Sequence, residues 1–218
     1  IYAVAIDKGT GKLTIVGLTR ENYAVSVKYN GDDKYAPSTN STTFKVKQAA
    51  TSVDIGVKSV YYVGDDIVIN VTAVNSTDLT VTINGKSYTV SGGKVTIAGG
   101  LPAGNYTINA VLAGNENYTG SNDTKSFEVV KLQSELTVNV TDITADQSET
   151  IKVNVTGGAT GSVIIRVDGK DYYAEIDGQY ATLKLDNLTS GVHTVEVIYM
   201  GDGKYNESTG IATFNVTK

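Results

Sequence analysis

Asparagine is followed two residues on by serine or threonine at eleven places in this chain: Asn40, Asn70, Asn75, Asn105, Asn117, Asn122, Asn139, Asn154, Asn187, Asn206 and Asn215. The triplet claims 11 of 16 asparagines, where a random scatter of the 43 serines and threonines would leave about three. Asn-x-Ser/Thr is the acceptor for N-linked glycans, so the pattern suits a translocated protein whose sheet surfaces are shielded by sugar. A plainer origin accounts for Asn70, Asn139, Asn154 and Asn215, each in the run Asn-Val-Thr: a strand of period two aims both polar residues outward. It does not account for the sequons of turns and loops, and all eleven stand as glycosylation candidates.

Other reactive residue types are sparse. Acidic pairs stand at Asp32-Asp33 and Asp65-Asp66, and Asp202 lies near Glu207. Calcium needs roughly six to eight converging oxygens, and no D-x-D-x-D-G loop occurs, so these read as solvated turn carboxylates. A hydrolytic triad needs a nucleophile, a base and an orienting acid; the one histidine, His193, reads instead as a packing and hydrogen-bonding substitute for tyrosine. Carboxylate pairs for glycoside hydrolysis are not excluded by spacing, but every loop is short and no insertion builds a deep cleft. With no cysteine, disulfides, thiolate chemistry and Cys-based zinc sites drop out. No catalytic, metal-binding or cofactor-binding residue is expected.

The elements that must position these residues are strands. Of 218 residues, 40% are hydrophobic and 19% charged, with 23 Gly, 14 Tyr and only two Pro. Abundant Val and Thr with Gly and Asn for turns point to an all-β protein. The net charge of −5 argues against nucleic acid or an anionic membrane surface as partner. No apolar run of about 18 residues is present to span a membrane. A chain starting at Ile1 without a signal peptide reads as a mature or excised portion of a longer protein.

One loop is spelled three times: YNGDDKYAPST at 29–39, LAGNENYTGSN at 112–122 and YMGDGKYNEST at 199–209. Its tyrosines, Tyr35, Tyr118 and Tyr205, are 83 and 87 residues apart, and the flanks repeat with them. Upstream stand LTRENYAVSVKY, LPAGNYTINAVL and LTSGVHTVEVIY; downstream stand TTFKVK, KSFEVV and ATFNVT. Each upstream run alternates apolar and polar, as Tyr23, Val25, Val27 and Tyr29 do, which marks a half-buried strand. The third repeat divides into about seven such segments, at 135–140, 150–156, 162–167, 171–176, 180–185, 192–199 and 211–216. Seven short strands in about 85 residues predict an immunoglobulin-like sandwich of Greek-key topology. In Leu101-x-x-Gly104-x-Tyr106 the spacing is that of a tyrosine corner, whose hydroxyl bonds back to nearby backbone. Tyr23 and His193 hold the same place in the other repeats.

The motif Tyr-x-Gly-Asp-x-x-Tyr-x-x-Ser-Thr followed by a T-x-x-F-x-V strand resembles the bacterial immunoglobulin-like repeats of large surface proteins. With its Asn-, Ser- and Thr-rich strands, the chain is most similar to the adhesin-like proteins of methanogenic archaea. The resemblance covers nearly the whole chain, and the middle loop departs from it at Gly114-Asn115-Glu116-Asn117-Tyr118. It implies an extracellular, cell-surface stalk that carries a binding region outward, with cell-surface glycans or proteins as its partners.

The expected layout is a partial domain at 1–48 and two complete ones at 49–131 and 132–218, joined near 47–52 and 131–135. The joints lack Gly and Pro, so a semi-rigid rod is expected, with neighbouring repeats of the same chain or filament as its contacts. Tyr2 aligns with Tyr172, so the first repeat starts half-way through, with strands expected at 2–6, 12–16, 22–29 and 42–47. Its missing strands come either from upstream sequence or from another chain by strand addition. Three functions follow: a non-catalytic stalk or spacer, a subunit of a filament built by donor-strand complementation, or a carbohydrate-binding module. Lys152 and Asn215 have the types for a Lys–Asn isopeptide bond, but the second repeat, with Ile69 and Glu128 at those places, does not preserve the pair.

Overall fold

The structure is a computed structural model that describes residues 1–74 and 78–218, and every regular element in it is a β-strand. The first repeat contributes Asn22–Tyr29 (β1) and Ser38–Lys45 (β2). The second contributes Ser52–Gly56 (β3), Val60–Tyr62 (β4), Ile67–Val74 (β5), Leu79–Ile83 (β6), Lys86–Tyr88 (β7), Lys94–Ile97 (β8), Gly104–Leu112 (β9) and Ser121–Val130 (β10). The third contributes Leu136–Asn139 (β11), Ile143–Thr144 (β12), Glu149–Val155 (β13), Ser162–Val167 (β14), Lys170–Glu175 (β15), Tyr180–Leu185 (β16), Gly191–Tyr199 (β17) and Ser208–Thr217 (β18).

The second repeat builds a three-stranded sheet, β3-β5-β8, and a five-stranded sheet, β4-β10-β9-β6-β7. The third repeats both, as β11-β13-β16 and β12-β18-β17-β14-β15. The fold is thus tandem immunoglobulin-like β-sandwiches. Each shows eight strands among the described residues, where about seven were expected. The added ones, β4 and β12, are short and parallel to the last strand: Val60–Tyr62 beside Glu128–Val130, and Ile143–Thr144 beside Val216–Thr217.

By proximity the chain divides into two compact units, residues 1–56, 70–94 and 108–125, and residues 57–69, 95–107 and 126–218. In the first, β1 and β2 form an antiparallel hairpin with Tyr23 opposite Phe44, β3 pairs with β5, and β6 pairs with β7 and β9. The second contains the whole of the third sandwich, whose core draws every member from residues 132–216. Period two explains that core: Ile151, Val153, Val155, Val163, Ile165, Val195 and Val197 are at most 2% exposed, while their strand neighbours face out. Each such side chain contributes about 1.5–3 kcal/mol by leaving water.

The strands expected at 2–6 and 12–16 are absent, and residues 2–16 join only through the Asp7–Thr10 bridge. An alternating pattern makes a strand only when a neighbouring ladder takes up its N–H and C=O groups, and no ladder lies beside these segments. In the other two repeats such ladders come from strands that have no counterpart in the first.

Candidate functional site

The repeated loop is built around one aspartate or asparagine. Asp32 Oδ1 accepts the backbone N–H groups of Lys34 and Tyr35, both at 2.8 Å. Asn115 Oδ1 accepts those of Asn117 and Tyr118 at 2.9 Å, and Asp202 Oδ1 those of Lys204 and Tyr205 at 2.7 Å. In each copy the same residue's N–H donates to the tyrosine carbonyl, closing the turn. The preceding glycine is obligatory in the first and third copies: φ is +83° at Gly31 and +78° at Gly201, and a Cβ would meet Tyr35 O at 2.9 Å or Tyr205 O at 2.7 Å. The acidic loop residues Asp32 and Asp202 are therefore turn caps. Among the described residues no group of three or more acidic or histidine side chains is placed to hold a metal ion.

The loop also anchors the segment that leads into its own sandwich. Ala49 N donates to Asn117 O at 2.8 Å and Thr119 N to Ala49 O at 3.0 Å, a parallel bridge at Tyr118. Thr51 Oγ1 donates to Thr119 O at 2.6 Å. The third repeat does the same: Leu132 N donates to Lys204 O at 2.9 Å, Asn206 N to Leu132 O at 2.8 Å, and Ser134 Oγ to Asn206 O at 2.8 Å. The loop tyrosine follows this docking. Tyr205 is 6% exposed with its hydroxyl donating to Gly157 O at 3.1 Å, Tyr118 is half-buried, and Tyr35 is 60% exposed.

The corner recurs in all three repeats. Tyr23 Oη donates to Thr19 O at 3.0 Å, Tyr106 Oη to Pro102 O at 2.8 Å, and His193 Nε2 lies 2.7 Å from Thr189 O, each four residues back. Each ring stacks on a phenylalanine of the last strand: Tyr23 on Phe44, Tyr106 on Phe127 and His193 on Phe214, with centroids 5.2–5.4 Å apart. The imidazole makes the phenol's bond through Nε2, and Asp168 takes up its other nitrogen, with Oδ2 2.5 Å from Nδ1. The Thr189 carbonyl raises the histidine's pKa, burial opposes the rise, and Asp168 adds to it. The Thr194 N–H holds the Asp168 carboxyl below its usual range despite partial burial.

Charge elsewhere is tied into the loops. Burial would raise the Asp202 carboxyl, but the N–H groups of Tyr205, Lys204 and Thr160 and the Thr160 hydroxyl outweigh it and lower it. The hydroxyl of buried Tyr199 is pushed up to about 12, chiefly by burial, and finds no hydrogen-bond partner among the described residues. Its counterpart Tyr29 donates to Asp32 Oδ2 at 2.6 Å. Glu149, fully buried, escaped the sequence reading. Its carboxylate accepts Thr141 N at 3.0 Å and Thr141 Oγ1 at 2.9 Å, fixing the bend between β11 and β12. An acidic residue just before an alternating run was the only available signal.

The sequons scatter over the described surface. Asn40, Asn70, Asn105, Asn122, Asn139, Asn154 and Asn215 lie in strands, and only Asn117, Asn187 and Asn206 in loops; Asn75 lies outside the described residues. Asn154, Asn206 and Asn215 are half-buried and the other seven exposed. Lys152 and Asn215 belong to different sheets, and the Lys152 ammonium sits 3.9 Å above the Tyr180 ring.

No family model matches the chain, and no curated protein does. Among solved structures it is similar to the fibronectin(III)-like modules of Clostridium thermocellum CbhA, at 17% identity and a TM-score of 0.34, over 76% of this chain and 94% of that one. It is similar to tandem immunoglobulin domains of titin at 13% identity and TM-score 0.32, over 77% of this chain and 96% of that one. It is also similar to immunoglobulin domains 1–5 of Sidekick-1 at 12% identity and TM-score 0.36, over 91% of this chain and 45% of that one. At such TM-scores none of these likenesses assigns a function.

Proposed function

We propose that this chain is a non-catalytic, load-bearing spacer of an extracellular cell-surface protein of the adhesin-like kind, with tandem sandwiches at 49–131 and 132–218 as its working parts. One observation carries the reading: each complete repeat closes its two ends by parallel pairing. In the third, Leu132 bridges Tyr205 and Ile143–Thr144 lies beside Val216–Thr217; in the second, Ala49 bridges Tyr118 and Val60–Tyr62 lies beside Glu128–Val130. When the ends of a repeat are pulled apart, first and last strands slide in opposite directions along their shared bonds. Those bonds are then loaded together in shear, whereas a hairpin pulled from its open end loses them singly. The sequons at exposed positions support an extracellular setting in which sugar covers the strand surfaces.

Single-molecule pulling tests this directly, because a chain without cysteine accepts unique thiol handles. Handles at Lys131 and Lys218 load the parallel closure of the third repeat, while handles at Ser190 and Lys218 peel β17 from β18 at the open end of their hairpin, where Gly191 pairs with Val216. Unfolding forces several-fold higher for the first pair are expected; equal forces would sink the spacer reading.

A filament reading also has an observation in its favour. Val27 is 62% and Phe44 42% exposed on the hairpin β1–β2, whereas their counterparts Ala110, Val197, Phe127 and Phe214 are at most 3% exposed. A strand donated by a second chain would cover that face. Concentration-dependent polymers on electron micrographs would favour it over the spacer.

A further inference from the structure

The outward face of the five-stranded sheet differs in kind between the two sandwiches. In the second, Thr80 stands opposite Val111 and Thr82 opposite Asn109, with Thr124 hydrogen-bonded to Asn109. The third has Ile164 and Ile211 in place of Thr80 and Thr124, and the charged Arg166 and Glu196 in place of Thr82 and Asn109. One row across the sheet reads Tyr173, Ile164, Ile198, Thr209, and the next reads Asp171, Arg166, Glu196, Ile211. Tyr173 is 73%, Ile211 69% and nearby Met200 64% exposed, while Ile164 and Ile198 are half-buried between them. Such a patch exposes on the order of 400 Å² of apolar surface, comparable to the largest patch of a typical monomer, which is often functional. None of these eight row positions is a sequon asparagine, whereas Asn122 holds the place of Thr209 in the second sandwich.

We propose that this face is a self-association surface, on which a second copy of the chain docks face to face about a two-fold axis parallel to the strands and lying between β14 and β17. The two central positions of each row are complementary to themselves under that operation, while at the outer positions Tyr173 of each copy meets Thr209 of the other and Ile211 meets Asp171. The axis carries β14 onto the partner's β17, so Ile164 of each copy meets Ile198 of the other, and Arg166 of each meets Glu196 of the other. Arg166 already holds Asp171 at 2.6 Å and Glu196 at 3.6 Å within one chain, so a pairing across the axis extends an existing network and leaves no charge buried alone. Two flat sheet faces pack about 10 Å apart, as they do inside each sandwich. With roughly 1,000 Å² buried in total, the dimer is a weak one, with Kd on the order of 100 μM.

Sedimentation equilibrium of the full chain made in bacteria, and hence free of N-glycans, reads this directly. Dimerisation is expected to rise between about 10 μM and 1 mM, with Kd near the value above. Ile211→Asp, at an exposed position, is expected to weaken it at least tenfold without lowering the melting temperature. Arg166→Glu and Glu196→Arg are each expected to remain monomeric alone, since each opposes like charges across the axis. Mixed in equal amounts they are expected to form a heterodimer, because both cross-axis contacts are then opposite in sign; a purely intrachain role for Arg166 does not give that rescue. A wild-type chain monomeric at the highest concentration, a dimer indifferent to Ile211→Asp, or a mixture that stays monomeric would each overturn the proposal.

Discussion

Three glycines of the third sandwich separate backbone strain from steric exclusion when each is changed to alanine. Gly203 lies outside the left-handed region with open space around its missing Cβ, so alanine should stabilise by about 0.4–1 kcal/mol through the unfolded chain. Gly178 has φ +65° and equally open space, so only the left-handed conformation is penalised, at about 1–2 kcal/mol. Gly201 adds a steric cost at φ +78°: its Cβ would stand 2.7 Å from Tyr205 O, 2.9 Å from Asn206 C and 3.0 Å from Glu207 N. All three are backbone atoms of the loop that Asp202 caps and Leu132 docks on, and none can swing aside. Relieving the overlap breaks the turn bond from Asp202 N to Tyr205 O and disturbs both caps, which brings the loss to about 3–5 kcal/mol. Urea unfolding of the full chain, with hydrogen exchange assigning the transition of the third sandwich, measures each change. The expected order is Gly203→Ala above wild type, then Gly178→Ala, then Gly201→Ala well below. A Gly201→Ala protein no less stable than Gly178→Ala would refute the account of the loop.

Two further predictions concern the corner and the sugars. The raised folded-state pKa of His193 means that its extra stability is fully present below the unfolded imidazole value of about 6.5 and is lost as pH rises through the folded value. The urea midpoint of the third sandwich should therefore fall between pH 5.5 and 8.5, and His193→Tyr, the residue found at Tyr23 and Tyr106, should flatten that dependence; an unchanged slope would refute the role given to the imidazole. In a glycosylating host, peptide mass spectrometry should find sugar on the exposed loop residues Asn117 and Asn187 ahead of half-buried Asn154, Asn206 and Asn215. Equal occupancy at all five would show that accessibility does not govern the sites.

The alternating strands were legible because a half-buried strand writes its burial into every second residue. The segments expected at 162–167 and 180–185 coincide with β14 and β16, and five others lie within three residues of their strands at either end. The loop was legible as a repeat, but not its mechanics. Nothing in Gly-Asp-x-x-Tyr says that the carboxylate turns inward to cap two N–H groups or that an incoming segment docks alongside. Parallel pairs such as Ile143–Thr144 with Val216–Thr217 are too short to carry a period and arise only when the ends of a repeat meet. The reverse failure occurred at residues 2–16, where the period is present and the neighbouring ladder is not. Asn40, Asn105 and Asn122 stand outside the Asn-Val-Thr runs yet lie in strands, because strand ends in polar runs look like turns until pairing defines them.

The central claim is that each complete repeat encloses a core of its own. Native-state hydrogen exchange on the full chain carrying Ile165→Ala tests it most directly, because Ile165 is fully buried among residues of the third sandwich alone. The substitution should remove about 2–5 kcal/mol of protection from the slowest amides of β13, β14, β16, β17 and β18, leaving those of β5, β6 and β9 as in wild type. A comparable loss of protection in β5, β6 and β9 would mean that the two sandwiches share one core, and the account would be wrong.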